Sequence, residues 1–237
     1  MTEDEFAAYQ SLSEEAEDHR WAFGTGFTDP LEGIDASVPD GVDAAALTAY
    51  CLALGDDALI YSHRLQQWMT RMPELEEETA LANIALDLLG QARMLLARAG
   101  QAEGRGRRED DLAFFRDEHE FRSVRLAEHT DADFAQLAGR LLVFSAWRLA
   151  LFGRLAASAD PVAARLPGVA VDPAELRAEV DAVLDAVLGA ATLDRPQGAP
   201  LARVAGKSGR DGVHTEPFGY LLAELQSVAR AHPDATW

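Results

Sequence analysis

From about Asp43 onward, apolar positions along the chain recur at the three-and-four spacing of α-helices. Residues so spaced stack on one face of a helix, so the spacing marks the face that packs. Over Asp43–Met69 the stripe is Leu47, Tyr50, Leu54, Leu65 and Trp68, and Pro73 ends the run. A second helix is predicted over Glu74–Ala99. Glu74, Glu76, Glu77 and Glu78 open it, where negative charge complements the helix dipole, and Gly100 is its stop. Its middle, TALANIALDLLGQARMLL, is apolar on nearly every face, which predicts a central place in a bundle.

A basic, glycine-rich connection follows, GQAEGRGRRED, then shorter helices near Asp110–Arg116 and Glu118–Glu128. Asp131–Ser158 is a third long helix, its core face supplied by Phe134, Leu137, Leu141, Phe144, Leu151, Phe152 and Leu155. Asp172-Pro173-Ala174-Glu175 has the N-cap, first-turn proline and capping-box acid of a helix start, and that helix runs to about Ala190. The loop DRPQGAPLARVAGKSGRDG leads to a last helix over Glu216–Ala231. Convincing period-two strands are absent. The pattern predicts an all-α fold of long antiparallel helices, a bundle.

Composition narrows the class. At 237 residues and 48% hydrophobic, the chain can bury a real core, which excludes disorder throughout. Its net charge of −19 argues against nucleic acid as a partner, since phosphate would be repelled. The charge is uneven: residues 1–47 hold 12 acids and one base, Arg20, leaving only −8 on the rest. Residues 1–40 are therefore read as an acidic extension, with room for a short helix around Glu3–Arg20, and 41–237 as the helical domain. Cys51 alone excludes an internal disulfide and suits a reducing compartment. No uninterrupted apolar run reaches the ~18–20 residues of a membrane span. The first ten residues are acidic where a signal peptide is basic. A cytoplasmic protein is expected.

In an all-α bundle the first chemistry to test is a carboxylate-bridged di-iron site, which takes Glu from two helices and Glu-x-x-His from two more. Three places before His19, His63, His119, His129 and His232 stand Ala16, Ile60, Arg116, Leu126 and Ala229, none of them a carboxylate. Only Asp211-Gly-Val-His214 has the spacing, and it lies in a glycine-rich loop without a second copy. Gly-Lys-Ser at 206–208 is not a P-loop, because Leu201 stands where the leading glycine belongs. Cys51 reads as a buried thiol rather than a nucleophile, and His63 and Arg64 as partners in an interhelical hydrogen bond. Asp56 and Asp57 are notable carboxylates. Asp87 interrupts an apolar helix, so an ion pair with Arg64 or Arg148 is expected.

Four ordered blocks, LALGDDALIYSHRLQQW, PELEEETALANIALDLLGQARMLL, DLAFFRDEHEF and GVHTEPFGYLLAELQSVARAHPDATW, resemble the C subunits of phenylacetyl-CoA epoxidases. The resemblance covers about residues 45–237. It implies a ferritin-like helical bundle in a bacterial monooxygenase of aromatic degradation. It further implies a degenerate, non-catalytic subunit that forms a heterodimer or higher oligomer with a homologous A subunit. That partner carries the di-iron centre, and small and reductase subunits complete the complex. Where a catalytic paralogue would show Glu-x-x-His, this chain has Leu88-Leu89-Gly90-Gln91. On this reading no residue is catalytic, no metal or other cofactor belongs to this chain, and Asp56, Asp57, Arg64, Asp87 and Gln91 mark the vestigial bundle centre.

One departure stands out. Near residues 164–167 the family has a further helical pair of roughly sixty residues, and here Asp160–Leu166 runs almost directly into Pro167. A natural deletion, an engineered shortening and a segment left out of a renumbered chain are the possible origins. The last is favoured, because a core short of a helical pair would bare the apolar faces of the others. Two other functions stay open. One is a CoA-ester-binding module whose phosphate ligands come from Arg105, Arg107, Arg108, Lys207 and Arg210; the other is a di-iron oxygenase in its own right.

Overall fold

The computed structural model describes residues 30–72, 74–155 and 208–233, the side chain of Arg154 excepted. The predicted helix after Asp172, the junction at 164–167 and Lys207 lie outside the described residues. Among the described residues the regular elements are all helical: α1 (Ala44–Gln66), α2 (Leu75–Glu103), α3 (Glu109–Phe114), α4 (Arg125–Glu128), α5 (Phe134–Leu155) and α6 (Glu216–Ala231). Single 3-10 turns occupy Glu118–Glu120 and Gly209–Asp211.

The Asp43 side chain starts α1 by accepting the N–H groups of Ala45 at 2.8 Å and Ala46 at 3.5 Å, two of the donors a helix start leaves unpaired. The helices α1 and α2 form an antiparallel hairpin and the main interface of the fold. Ser62 Oγ donates to Ala85 O at 2.7 Å, while farther along a Cβ on Gly55 would lie 3.0 Å from Leu96. Gly55 thus lets the two backbones approach closely. Leu54, Ala58, Ile60, Leu65, Ala85, Leu95 and Leu96 fill the seam. Leu31 also joins this core, and Arg98 holds the carbonyls of Ala36 and of Ser37, the latter at 3.2 Å. The described part of the acidic extension is therefore laid onto the body.

Three expectations need correcting. First, α2 runs through Gly100 to Glu103, and Gly104, at φ 70°, is the left-handed cap. Gly100 serves close approach instead, since a Cβ there would lie 2.1 Å from the Arg107 carbonyl oxygen. Second, α2 is not buried all round: Leu75 and Leu86 are 73% and 57% exposed. Third, no single helix spans Glu118–Glu128, because Phe121–Val124 is extended. The N–H groups of Arg122 and Val124 each donate at 2.7 Å, to Asp56 Oδ2 and Asp57 Oδ1. Those carboxylates replace the carbonyl acceptors a helix would have supplied.

The helix α5 turns Leu137, Phe144, Leu151 and Leu155 inward as its period predicts, together with Arg140 and Arg148. Phe134, Leu141 and Phe152 pack at the core margin. In α6, Phe218, Leu221 and Leu222 face the core. By length and composition alone, α1 and α2 are each apolar enough to cross a membrane, although polar residues interrupt both in the sequence. A buried core helix meets the same test, and α1 buries Asp56, Asp57 and Arg64 against protein partners.

Candidate functional site

The polar centre of the molecule is built on α1. Asp56 and Asp57, both fully buried, are adjacent in a helix that is otherwise apolar there. A buried carboxylate demands donors or a counter-ion. Asp56 accepts from both terminal nitrogens of Arg116, Nη1 at 3.1 Å, and from the Arg122 N–H. The Arg116 guanidinium lies 4.1 Å from the Phe121 ring centroid and also donates to the Leu112 and Glu120 carbonyls. Asp57 accepts from the Val124 N–H and from Arg210 Nη2 at 2.5 Å. Arg210 further donates to the carbonyls of Ala53, at 2.6 Å, and Arg122. Burial pushes the Asp57 carboxyl up, against the pull of Arg210 and the Val124 N–H.

A third buried acid is Glu128, at the end of α4. It accepts from His214 Nδ1 at 2.8 Å, the Thr215 N–H at 2.9 Å and Ser123 Oγ at 3.1 Å. Burial acts to raise its carboxyl, but His214, Thr215 and Ser123 outweigh it and hold the group below its ordinary range. Arg64 reaches the Glu128 carbonyl through Nη2 at 2.6 Å, the Pro217 carbonyl at 2.8 Å and Gln67 Oε1 at 2.9 Å. Arg148, on α5, donates to Gln91 Oε1 at 2.7 Å and lies 4.6 Å from the Phe152 ring centroid. Burial brings that guanidinium down to about 10, against the opposing charge of Asp57.

Asp56, Asp57 and Arg64 thus belong to one buried set, half-buried Gln91 joins it through Arg148, and Asp87 does not belong. Asp87 lies on the exposed face of α2, and no ion pair to it is formed among the described residues. The expected partners are committed elsewhere: Arg64 to main-chain carbonyls and Gln67, Arg148 to Gln91. Sequence reasoning did not find Arg116, Glu128 and His214 as members of this set. Adjacent acids inside an apolar helix do signal that two cations must come to them. Nothing in the spacing says which, because the partners lie 60 and 153 residues away.

The glycine-rich loop before α6 has an architectural role. Asp211 accepts from the Ser208 N–H and hydroxyl and so closes its own turn, while His214 turns inward to Glu128. The Asp-x-x-His spacing therefore puts its two members to separate tasks. A Cβ on Gly209 would lie 2.0 Å from the Ser123 carbonyl oxygen and 2.5 Å from Glu128 Oε1. Close approach, not a phosphate cradle, requires that glycine. Of the arginines considered for phosphates, Arg107 is bound to Glu103 at 2.8 Å, which raises its guanidinium, and Arg210 is spent on Asp57. Arg105 is exposed, 3.5 Å from Glu103, and the main-chain N–H of Arg108 is capped by Asp111.

The fit of a di-iron group follows from this donor set. A bridging carboxylate must present free lone pairs, and those of Asp56, Asp57 and Glu128 already accept N–H and O–H donors. Among the described residues no three His, Cys, Asp or Glu side chains converge as metal ligands. The described residues do not fit the group. A separate open cleft of about 480 Å³ lies between the end of α1 and the start of α6, lined by Arg64, Trp68, Arg71, Tyr220 and Glu224 among others.

A family model described as phenylacetic acid catabolic protein matches residues 35–167 and 162–237. The chain is 35% identical over 250 residues to the C subunit of the 1,2-phenylacetyl-CoA epoxidase of Escherichia coli (strain K12), covering 81% of this chain and 99% of that protein. Since 81% of 237 residues is about 192, about 58 of the 250 aligned positions have no counterpart here. The two family matches meet at 162–167, the point of the predicted shortfall. The 237-residue sequence is itself short at this junction, so the shortfall is one of sequence. On these matches the chain belongs to the phenylacetic acid catabolic protein family, whose fold is the ferritin-like helical bundle.

Proposed function

We propose that this chain is a non-catalytic structural subunit of a multicomponent phenylacetyl-CoA epoxidase of aerobic phenylacetate degradation. In this reading it pairs with a homologous catalytic subunit, stabilises it, and leaves the di-iron centre and substrate to that partner. Small and reductase subunits complete the complex, which works in the cytoplasm. The observation that carries the reading is the pairing of Asp56 with Arg116 and of Asp57 with Arg210, and the hydrogen bond of Glu128 to His214. Where a catalytic bundle keeps carboxylates open to metal, this one ties them into ion pairs and hydrogen bonds between α1, the 116–128 segment and the loop before α6. Such pairs fix the relative placement of elements far apart in sequence, which is what a scaffold must do.

The test is to produce the catalytic subunit with and without this chain, then compare soluble yield, iron content and epoxidation of phenylacetyl-CoA. Co-purification, and loss of activity when this chain is omitted, is the expected result. Full activity of the partner alone, or stoichiometric iron on the isolated chain, overturns the proposal.

A further inference from the structure

We propose that His214 and Glu128 form a proton-dependent latch that fastens the segment 208–218 to the body of the protein. Both side chains are fully buried. The imidazole has an acceptor on each side: Glu128 Oε1 at 2.8 Å from Nδ1, and the Phe121 carbonyl oxygen at 3.2 Å from Nε2. A neutral imidazole has one N–H, so one of its nitrogens would face an oxygen lone pair to lone pair. Imidazolium donates on both sides and is the form this geometry fits. The Phe218 ring, stacked on the imidazole at 4.2 Å, keeps water from replacing either bond.

The groups around the pair come from every element that packs on it. From α4 comes the Glu128 carboxylate, which also receives Ser123 Oγ and the Thr215 N–H. From α1, Arg64 holds the Glu128 carbonyl. The extended segment presents the Phe121 carbonyl, and α6 presents the Phe218 ring. Gly209, pressed against Glu128 and Ser123, brings the loop within reach. Other ties of the C-terminal region are Arg210 to Asp57, Gln226 to the Arg116 carbonyl at 2.9 Å, and Glu224 of α6 to His63 of α1 at 3.7 Å. Within 208–218 the His214 imidazole is the tie that loosens as pH rises, while Gln226 keeps the later turns of α6 docked.

The latch is independent of the subunit's role in any complex, and it is tested on the full chain. Ring nitrogen NMR of His214 at about pH 6 should show both nitrogens protonated. Amide hydrogen exchange of 208–218, normalised for the intrinsic pH dependence, should lose about tenfold in protection between about pH 6 and 9 as the imidazolium loses its proton. Exchange over 222–231 should change less. In Glu128→Gln, protection of 208–218 should be low at every pH and its pH dependence absent. A neutral imidazole at about pH 6, or wild-type protection unchanged across the range, overturns the latch. The NMR measurement needs no variant, so a folding defect in Glu128→Gln does not remove the test.

Discussion

Asp56 and Arg116 form a two-pronged ion pair with both side chains buried, 60 residues apart in the chain. Removing one partner leaves the other buried and without its counter-charge. Arg116→Met should therefore destabilise the fold by about 3–5 kcal/mol. The double change Asp56→Leu with Arg116→Met should cost less than the two single changes together, because no charge is left unpaired. Urea unfolding of the four proteins measures both terms. Additive costs would mean that the pair is not coupled.

Two glycines separate close approach from mere permissiveness. A side chain at Gly209 would strike the Ser123 carbonyl and Glu128, both fixed by other bonds, so Gly209→Ala should lose more than about 2 kcal/mol. Gly90 sits exposed inside α2, and a Cβ there would meet nothing within 4 Å. Gly90→Ala should therefore gain about 0.5–1 kcal/mol. Melting temperatures moving in opposite directions are the expected outcome.

These sites also show what the sequence could reveal. Helical period made α1 and α6 legible to within a few residues, and α5 over its described length, because each buries an apolar stripe. Gly100 misled, since it meets the local requirement for a stop while its reason for being glycine is the Arg107 carbonyl, seven residues later. The extended Phe121–Val124 was hidden for the same kind of reason: its acceptors, Asp56 and Asp57, lie more than sixty residues upstream. Asp56 and Asp57 stood out as carboxylates in an apolar helix, while the expectation of an ion pair fell on Asp87, which is exposed. The partners of Asp56 and Asp57 are set by tertiary packing, and no local period encodes that.

Glu128 and Asp57 should shape the acid limb of stability in opposite directions. Glu128 is held below its ordinary range by His214, Thr215 and Ser123 against the effect of burial, so its contribution is full above the unfolded-state pKa. That contribution is lost as pH falls through the folded-state value. Asp57 is raised by burial, so the folded state takes up its proton first, and acid relieves a cost. Unfolding free energy followed from neutral pH downward should fall less steeply in Glu128→Gln and more steeply in Asp57→Asn. Slopes changing in the same direction would contradict the opposed shifts.

Tyr61 offers the sharpest test of the bundle interior. Its ring is fully buried, 4.3 Å from the Phe144 ring centroid, while its hydroxyl finds no hydrogen-bond partner among the described residues. Burial accordingly pushes the phenol above its ordinary range. An orphaned hydroxyl costs its desolvation, about 1–3 kcal/mol, and returns nothing. Tyr61→Phe deletes only that oxygen and keeps the contact with Phe144, so it should leave stability unchanged or raise it by about 1 kcal/mol. Urea unfolding of the variant decides the matter. A loss of more than about 1 kcal/mol would show that the hydroxyl is bonded in solution, and that the interior beside Arg140 holds an acceptor for it.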